Sequence, residues 1–280
     1  MLKMFSKKKI KALSYRDLAN EEGCLAELSY YTGEGKVLEL KEEWGSSFAT
    51  YVTSQNIISV ISDYFFNEDR FDDAFLDMIE KVQFMHMPGY PPFSPITNAY
   101  FSYWMLLDAQ YKGCDTFVDY ILKNLKALQF LDDYIQPLKN LSASRMGIYE
   151  HLGFIGNKIK FRELVTDREI SAVVPSGYKG TNGDLCFIRV VDPLTHDDAH
   201  VAIATPYILL GHSKQDWINY FERQGIGTTN AAQMDYFMKH WPSYDYWHEF
   251  IFEGYAGFES SHIYLKGIPD IKGTKPHESN

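Results

Sequence analysis

The spacing of apolar residues changes midway along this chain, and no other feature constrains its fold as tightly. Up to about residue 142 apolar side chains recur at intervals of three and four, and from about Ser144 they recur at two. The first interval buries one face of a helix and the second one face of a strand. The expected class is therefore α+β. A helical domain at 14–142 precedes a β-rich domain at 143–271, built as a small antiparallel sheet or partly open barrel with C-terminal helices. A basic flexible N-terminus at 1–13 and a flexible tail at 272–280 flank them.

Within the first domain, Val52, Ile57, Ile58, Ile61 and Phe65 lie on one face of a helix running to Phe66. Phe71, Phe75, Met78, Ile79 and Val82 predict a second, from Phe71 to Phe84. The proline-rich stretch Met87–Pro95 cannot continue a helix. A third helix is expected from Thr97 or Asn98 to Tyr111. A fourth is expected from Asp115 or Thr116 through Leu131, ending before Pro137.

In the second domain, β-prone runs cover 147–154, 158–164, 169–174, 185–191, 200–204 and 207–210. Gly156-Asn157 between the first two is a hairpin signal. Ser213-Lys214-Gln215-Asp216 opens a helix to Arg223 with a side-chain cap. Helices at 231–241 and from Ser243 through Ile251, then a strand at 262–265, complete the pattern.

Twenty-seven basic against 37 acidic residues leave a charge of −10, with a pI near 5.4. Such a balance lacks the broad basic face that drives binding to phosphate backbones, so nucleic acid is not the expected partner. The N-terminal cluster Lys3, Lys7, Lys8, Lys9 and Lys11 is the exception, read as a solvated terminus. No apolar stretch reaches the roughly 20 residues of a membrane-crossing helix. Cys24, Cys114 and Cys186 have unrelated spacings and support neither a disulfide framework nor a thiolate zinc site. The expected compartment is the cytoplasm.

Three stretches have the composition of a site. His196-Asp197-Asp198-Ala199-His200 sets imidazoles among carboxylates, and His196, Asp198 and His200 are the candidate ligands of a zinc or iron ion. The plain alternative is a polar loop between strands. Ser176 to Gly183 has the glycines and the lysine of an anion-binding loop. It leads into a strand rather than a helix N-terminus, so it reads as a long connection whose tip, Tyr178 and Lys179, contacts a partner. Cys186 lies within an apolar run, where a cysteine acts as a small core residue.

Aromatic content departs furthest from the average, with 20 tyrosines, 19 phenylalanines and 5 tryptophans. Tyr244, Tyr246 and Trp247 lie in the densest segment, and such rings are enriched at interface hot spots. Core packing between domains accounts for them equally. These features predict a non-enzymatic adaptor of a bacterial cytoplasm, binding an unidentified protein partner through tyrosine- and tryptophan-rich surface, with no catalytic residues and no cofactor. The alternatives are a metal-dependent hydrolase using His196, Asp198 and His200, and a nucleic-acid-binding accessory module.

Overall fold

The computed structural model describes residues 46–66, 95–110, 116–125, 132–193, 199–223, 225–226, 231–240, 254–258 and 263–266, with residues 77 and 80. Four helices lead: α1 (Ser46–Phe66), α2 (Pro95–Leu107), α3 (Phe117–Lys123) and α4 (Asp132–Ala143). Six strands follow: β1 (Arg145–Ile155), β2 (Lys158–Glu163), β3 (Glu169–Val173), β4 (Leu185–Val191), β5 (His200–Ala202) and β6 (Tyr207–Leu210). Then come α5 (Lys214–Arg223), α6 (Ala231–His240), β7 (Gly254–Phe258) and β8 (Ile263–Lys266). No helix among the described residues is long and apolar enough to cross a membrane.

Five strands close on themselves. The order runs β1-β2-β3-β5-β4, and β4 pairs back onto β1 from Arg145↔Val190 to Glu150↔Leu185. Closure leaves the barrel without an open edge. The other side of β4 is shared, its C-terminal half pairing with β5 and its N-terminal half with β6. Beyond β6 the sheet continues through β8 to β7. An antiparallel sheet was expected, and this is corrected: β3 runs parallel to β5 and β6 parallel to β8. Strand direction depends on which distant strands meet, and residue patterns carry no mark of it.

β4 shows how one sequence serves two cores. Cys186 and Ile188 point into the barrel, where they join Tyr149, Ile159, Phe161, Ile170 and Ala172. Leu185, Phe187 and Val191 point outward into a larger cluster shared with the helices, including Trp104, Leu138, Leu141, Trp217 and Phe221. A strand covered on both faces reads as a continuous apolar run. The outer cluster crosses residue 142, with Leu138 and Leu141 before it and Met146 and Ile148 after it.

Helix α2 is fastened to the sheet by phenols. Tyr100 donates to the Thr205 carbonyl at 2.7 Å, and Tyr103 donates to Gln55 Oε1 at 2.7 Å. Gln55 in turn donates to the Ile203 carbonyl at 2.5 Å. The segment between β5 and β6, where Pro206 interrupts the ladder, thereby keeps its carbonyls satisfied.

Several local expectations are met, and others are corrected. The hairpin turns at Gly156-Asn157, with Ile155 opposite Lys158 and Gly156 at φ +64°. Ser213 and Asp216 cap α5 reciprocally: the Asp216 amide bonds Ser213 Oγ, and Asp216 Oδ2 accepts the Ser213 amide at 2.8 Å. The helix expected from 115 or 116 to 131 is described as α3, which ends at Lys123. A separate α4 then runs through Pro137, where a stop was expected. Pro137 has no amide to donate to the preceding turn, a loss of about 3 kcal/mol. Full burial of Leu138 and Leu141, at about 1.5–3 kcal/mol each, offsets it. β7 was not expected, because its two glycines mask the β pattern. The helices expected at 71–84 and 243–251 lie outside the described residues but for 77 and 80.

Between the layers lies a buried ionic network. Arg189 on β4 pairs with Asp108 at the end of α2, both side chains fully buried, and donates to the Ser144 carbonyl at 3.0 Å. Lys239 on α6 approaches the other Asp108 oxygen at 3.5 Å and donates to the Ser142 carbonyl. Asp108 is thus one carboxylate between two cations. Asp108→Ala is expected to destabilise the protein by about 3–5 kcal/mol, since it leaves both cations buried and uncompensated. Lys239→Met should cost clearly less, because the Asp108–Arg189 pair survives. Urea denaturation of the two variants checks the order.

Candidate functional site

The two ends of the barrel differ in chemistry. At one end, the N-terminal end of β1 meets the C-terminal end of β4, the start of β5 and the β2–β3 turn. A cavity of about 100 Å³ opens there, lined by Arg145, Tyr149, Arg168, Asp192, His200 and Asp235 among others. Tyr149 and His200 reach it because alternation sends them to the barrel side of their strands, opposite Glu163 and Ala172 respectively.

Arg145 anchors the wall. Its guanidinium donates to Glu163 Oε1 at 2.6 Å and Oε2 at 3.1 Å, and its Nε donates to Asp235 at 2.6 Å. Thr166 donates to the same Glu163 carboxylate at 2.5 Å. A buried glutamate is stable only when satisfied in this way. Gly147 makes the arrangement possible, because a Cβ there would stand 2.5 Å from the Tyr149 ring and 2.9 Å from Glu163 Oε1. The β2–β3 turn that carries Arg168 depends on Asp167 at φ +55°, a left-handed conformation that aspartate tolerates better than most residues.

His200 occupies an unusual position. Its Nε2 lies 3.0 Å from Arg168 Nη2 and 3.2 Å from Asp192 Oδ1, while its buried Nδ1 has no hydrogen-bond partner. Hydrogen bonding to His200 holds the Asp192 carboxyl below the usual carboxylate range. His196 and Asp198, the other two ligands of the expected metal site, lie outside the described residues. His212 belongs elsewhere, 3.9 Å from Asp216 at the start of α5. Among the described residues, no group of three or more His, Cys, Asp or Glu side chains converges to hold a metal ion.

The barrel interior holds a second polar set. Tyr178 Oη lies 3.1 Å from Cys186 Sγ and 3.4 Å from His151 Nδ1, and all three side chains are buried. This corrects the expectation for Tyr178, whose ring is 4% exposed and fills the lumen instead of tipping a loop. Gly180 permits the inward fold, since a Cβ there would stand 1.8 Å from the Tyr178 hydroxyl. Lys179, between them, is exposed as expected. Burial pushes the Cys186 thiol up to about 12, the opposite of an activated nucleophile.

At the far end of the barrel the β1–β2 hairpin carries apolar surface. A bulge between His151 and Gly153, with Gly153 at φ +130°, inserts one residue and resets the alternation. Phe154 therefore falls on the lumen side opposite Ile159, its ring edge-on to His151 at 4.9 Å. It remains 52% exposed, and its neighbour Ile155 is 60% exposed. The loop bearing Lys179 is tied alongside, where Gly183 donates to the His151 carbonyl and His151 to that of Asp184. Sequence reasoning marked this hairpin as a turn and missed its surface. The signal available was two adjacent large apolar residues immediately before a Gly-Asn turn. Tyr244, Tyr246 and Trp247 lie outside the described residues.

No family model, no curated protein and no solved structure matches this chain.

Gly180→Ala forces the added methyl against Tyr178 and should cost about 1–3 kcal/mol, measured by urea denaturation. His151 and His240 are both held below the usual imidazole range by burial. The unfolded chain then takes up protons that the native state refuses. Their contribution is fully present above the unfolded value of about 6.5 and is lost as the pH falls toward the folded values. The urea midpoint should be lower at pH 5.5 than at pH 7.5, and His151→Gln should reduce the difference.

Proposed function

We propose that this protein is a non-enzymatic binding module that engages a protein partner through the hairpin end of its barrel. The observation carrying this reading is the adjacent pair Phe154 and Ile155, both more than half exposed on a turn held by the strand ladder. Large apolar side chains on an ordered hairpin lose little freedom on binding, and an aromatic ring in such a position is the usual anchor of an interface. Lys179 is exposed on the loop whose far end is tied to His151 of β1, and it offers a positive charge there. The tyrosine- and tryptophan-rich segment Tyr244, Tyr246 and Trp247 belongs to the same reading as a second source of contact area. The net charge of −10 over the whole chain favours association with a basic partner over an acidic one.

A metal-dependent hydrolase is the second reading, favoured by one observation: His200 lines a polar cavity beside a carboxylate. Metal analysis of untagged protein separates the two. Near-stoichiometric zinc or iron, lost with His200→Ala, supports the hydrolase.

The binding reading is tested with the double variant Phe154→Ser, Ile155→Ser. Both positions are exposed, so the melting temperature is expected to stay within a few degrees of wild type. Capture of partners from the source cells, quantified against empty resin, is expected to fall at least ~10-fold, a loss of about 1.4 kcal/mol or more. Undiminished capture by the variant, or none above resin by wild type, rejects the hairpin as the binding surface.

A further inference from the structure

We propose that the polar end of the barrel is a binding site for a small zwitterion of the α-amino-acid class, one that carries a carboxylate and an ammonium group. The site lies at the end opposite Phe154 and Ile155, so its test stands apart from that of the hairpin.

Size sets the first limit. The cavity measures about 100 Å³. Drug-sized ligands need about 300 Å³ or more. A molecule the size of glycine, alanine or serine fits this scale.

Charge sets the second. The lining offers two guanidinium groups, Arg145 and Arg168, and two carboxylates, Asp192 and Asp235. Arg145 is committed to Glu163 and Asp235. Arg168 is not. Its guanidinium is exposed, and among the described residues its one side-chain hydrogen bond goes to His200, with no carboxylate in ion-pair contact. A guanidinium has five N–H donors, so a ligand carboxylate finds a two-pronged partner there. Asp192 and Asp235 each have one oxygen engaged, by His200 and Arg145 respectively, and both side chains are about 60% exposed. Their remaining oxygens suit an ammonium group. A simple anion would meet two rim carboxylates, and a simple cation would meet two guanidiniums. Only a ligand with both charges satisfies both sets.

His200 supplies the third argument. Arg168 can only donate, so the imidazole must present Nε2 as an acceptor to it; Asp192 can only accept, so the same nitrogen must present a hydrogen to it. One nitrogen cannot do both. A ligand carboxylate that draws Arg168 away leaves Nε2–H free to donate to Asp192 and removes the conflict. The pairing is therefore frustrated at one atom, and an anionic group on Arg168 relieves it.

Isothermal titration calorimetry on the full chain, with glycine, alanine, serine, acetate and methylammonium as separate titrants, tests the assignment. At least one amino acid should bind saturably with Kd below ~1 mM, about −4 kcal/mol. Acetate and methylammonium should bind at least ~10-fold more weakly, and Arg168→Gln and Asp192→Asn should each weaken the amino acid at least ~10-fold. Both substitutions are at exposed positions and are expected to leave the melting temperature nearly unchanged. In wild type, nitrogen NMR of the His200 ring should shift toward the Nε2–H tautomer on addition of the amino acid. Acetate binding as tightly would make this an anion site, and methylammonium binding as tightly a cation site; either overturns the proposal. So do an absence of saturable binding, binding untouched by both variants, or a ring tautomer that does not move.

Discussion

One buried carboxylate holds the layers of this protein in register. Asp108, at the end of α2, stands between Arg189 of β4 and Lys239 of α6, and the two cations reach on to carbonyls at the end of α4. Removing three charges from water costs several kcal/mol each, and only close pairing with added hydrogen bonds recovers it. A slip of one residue in β4 would turn Arg189 into the barrel and leave Asp108 facing an apolar side chain. The network therefore selects one relative placement of helices and barrel, where apolar packing alone tolerates several.

That placement decides where binding surface remains. The lumen is filled by Phe161, Tyr178, Cys186 and Ile188, and one outer face of β4 is covered by helices. Small barrels filled by side chains leave their ends for ligands. One end is lined by ion-paired groups because the strand termini there adjoin α4, α6 and the β2–β3 turn. The other projects as the β1–β2 hairpin beyond the last β1–β4 pairing, and Phe154 and Ile155 are more than half exposed there. The same strand, β1, carries Arg145 at one end and Phe154 at the other.

Much of the local structure was legible. Gly156-Asn157 marked its hairpin, Ser213 to Asp216 marked its cap, and the alternation along β4 placed Cys186 opposite Leu185 and Phe187. These features rest on interactions within a few residues, which a linear sequence displays directly. Other features were hidden for identifiable reasons. Pro137 argued against α4 on local grounds, and burial of its neighbours overruled it. Tyr178 looked like a loop tip because its composition is that of a turn, and its ring turns inward because Gly180 leaves room. His200 was singled out by its neighbours in sequence, His196 and Asp198, yet its described partners Arg168 and Asp192 come from the ends of other elements.

The order and type of most elements, the point where helix gives way to strand, and the sharp turns are all written in the linear chain. Each depends on backbone preference and on the period of apolar residues. Barrel closure, the parallel pairs, and the pairings Arg145–Glu163 and Asp108–Arg189, separated by 18 and 81 residues, emerge only in the folded molecule. Charges of opposite sign are plentiful in the chain, and nothing in their linear order says which will meet. Chain topology settles that, because burial removes the water that would otherwise stand in for every missing partner.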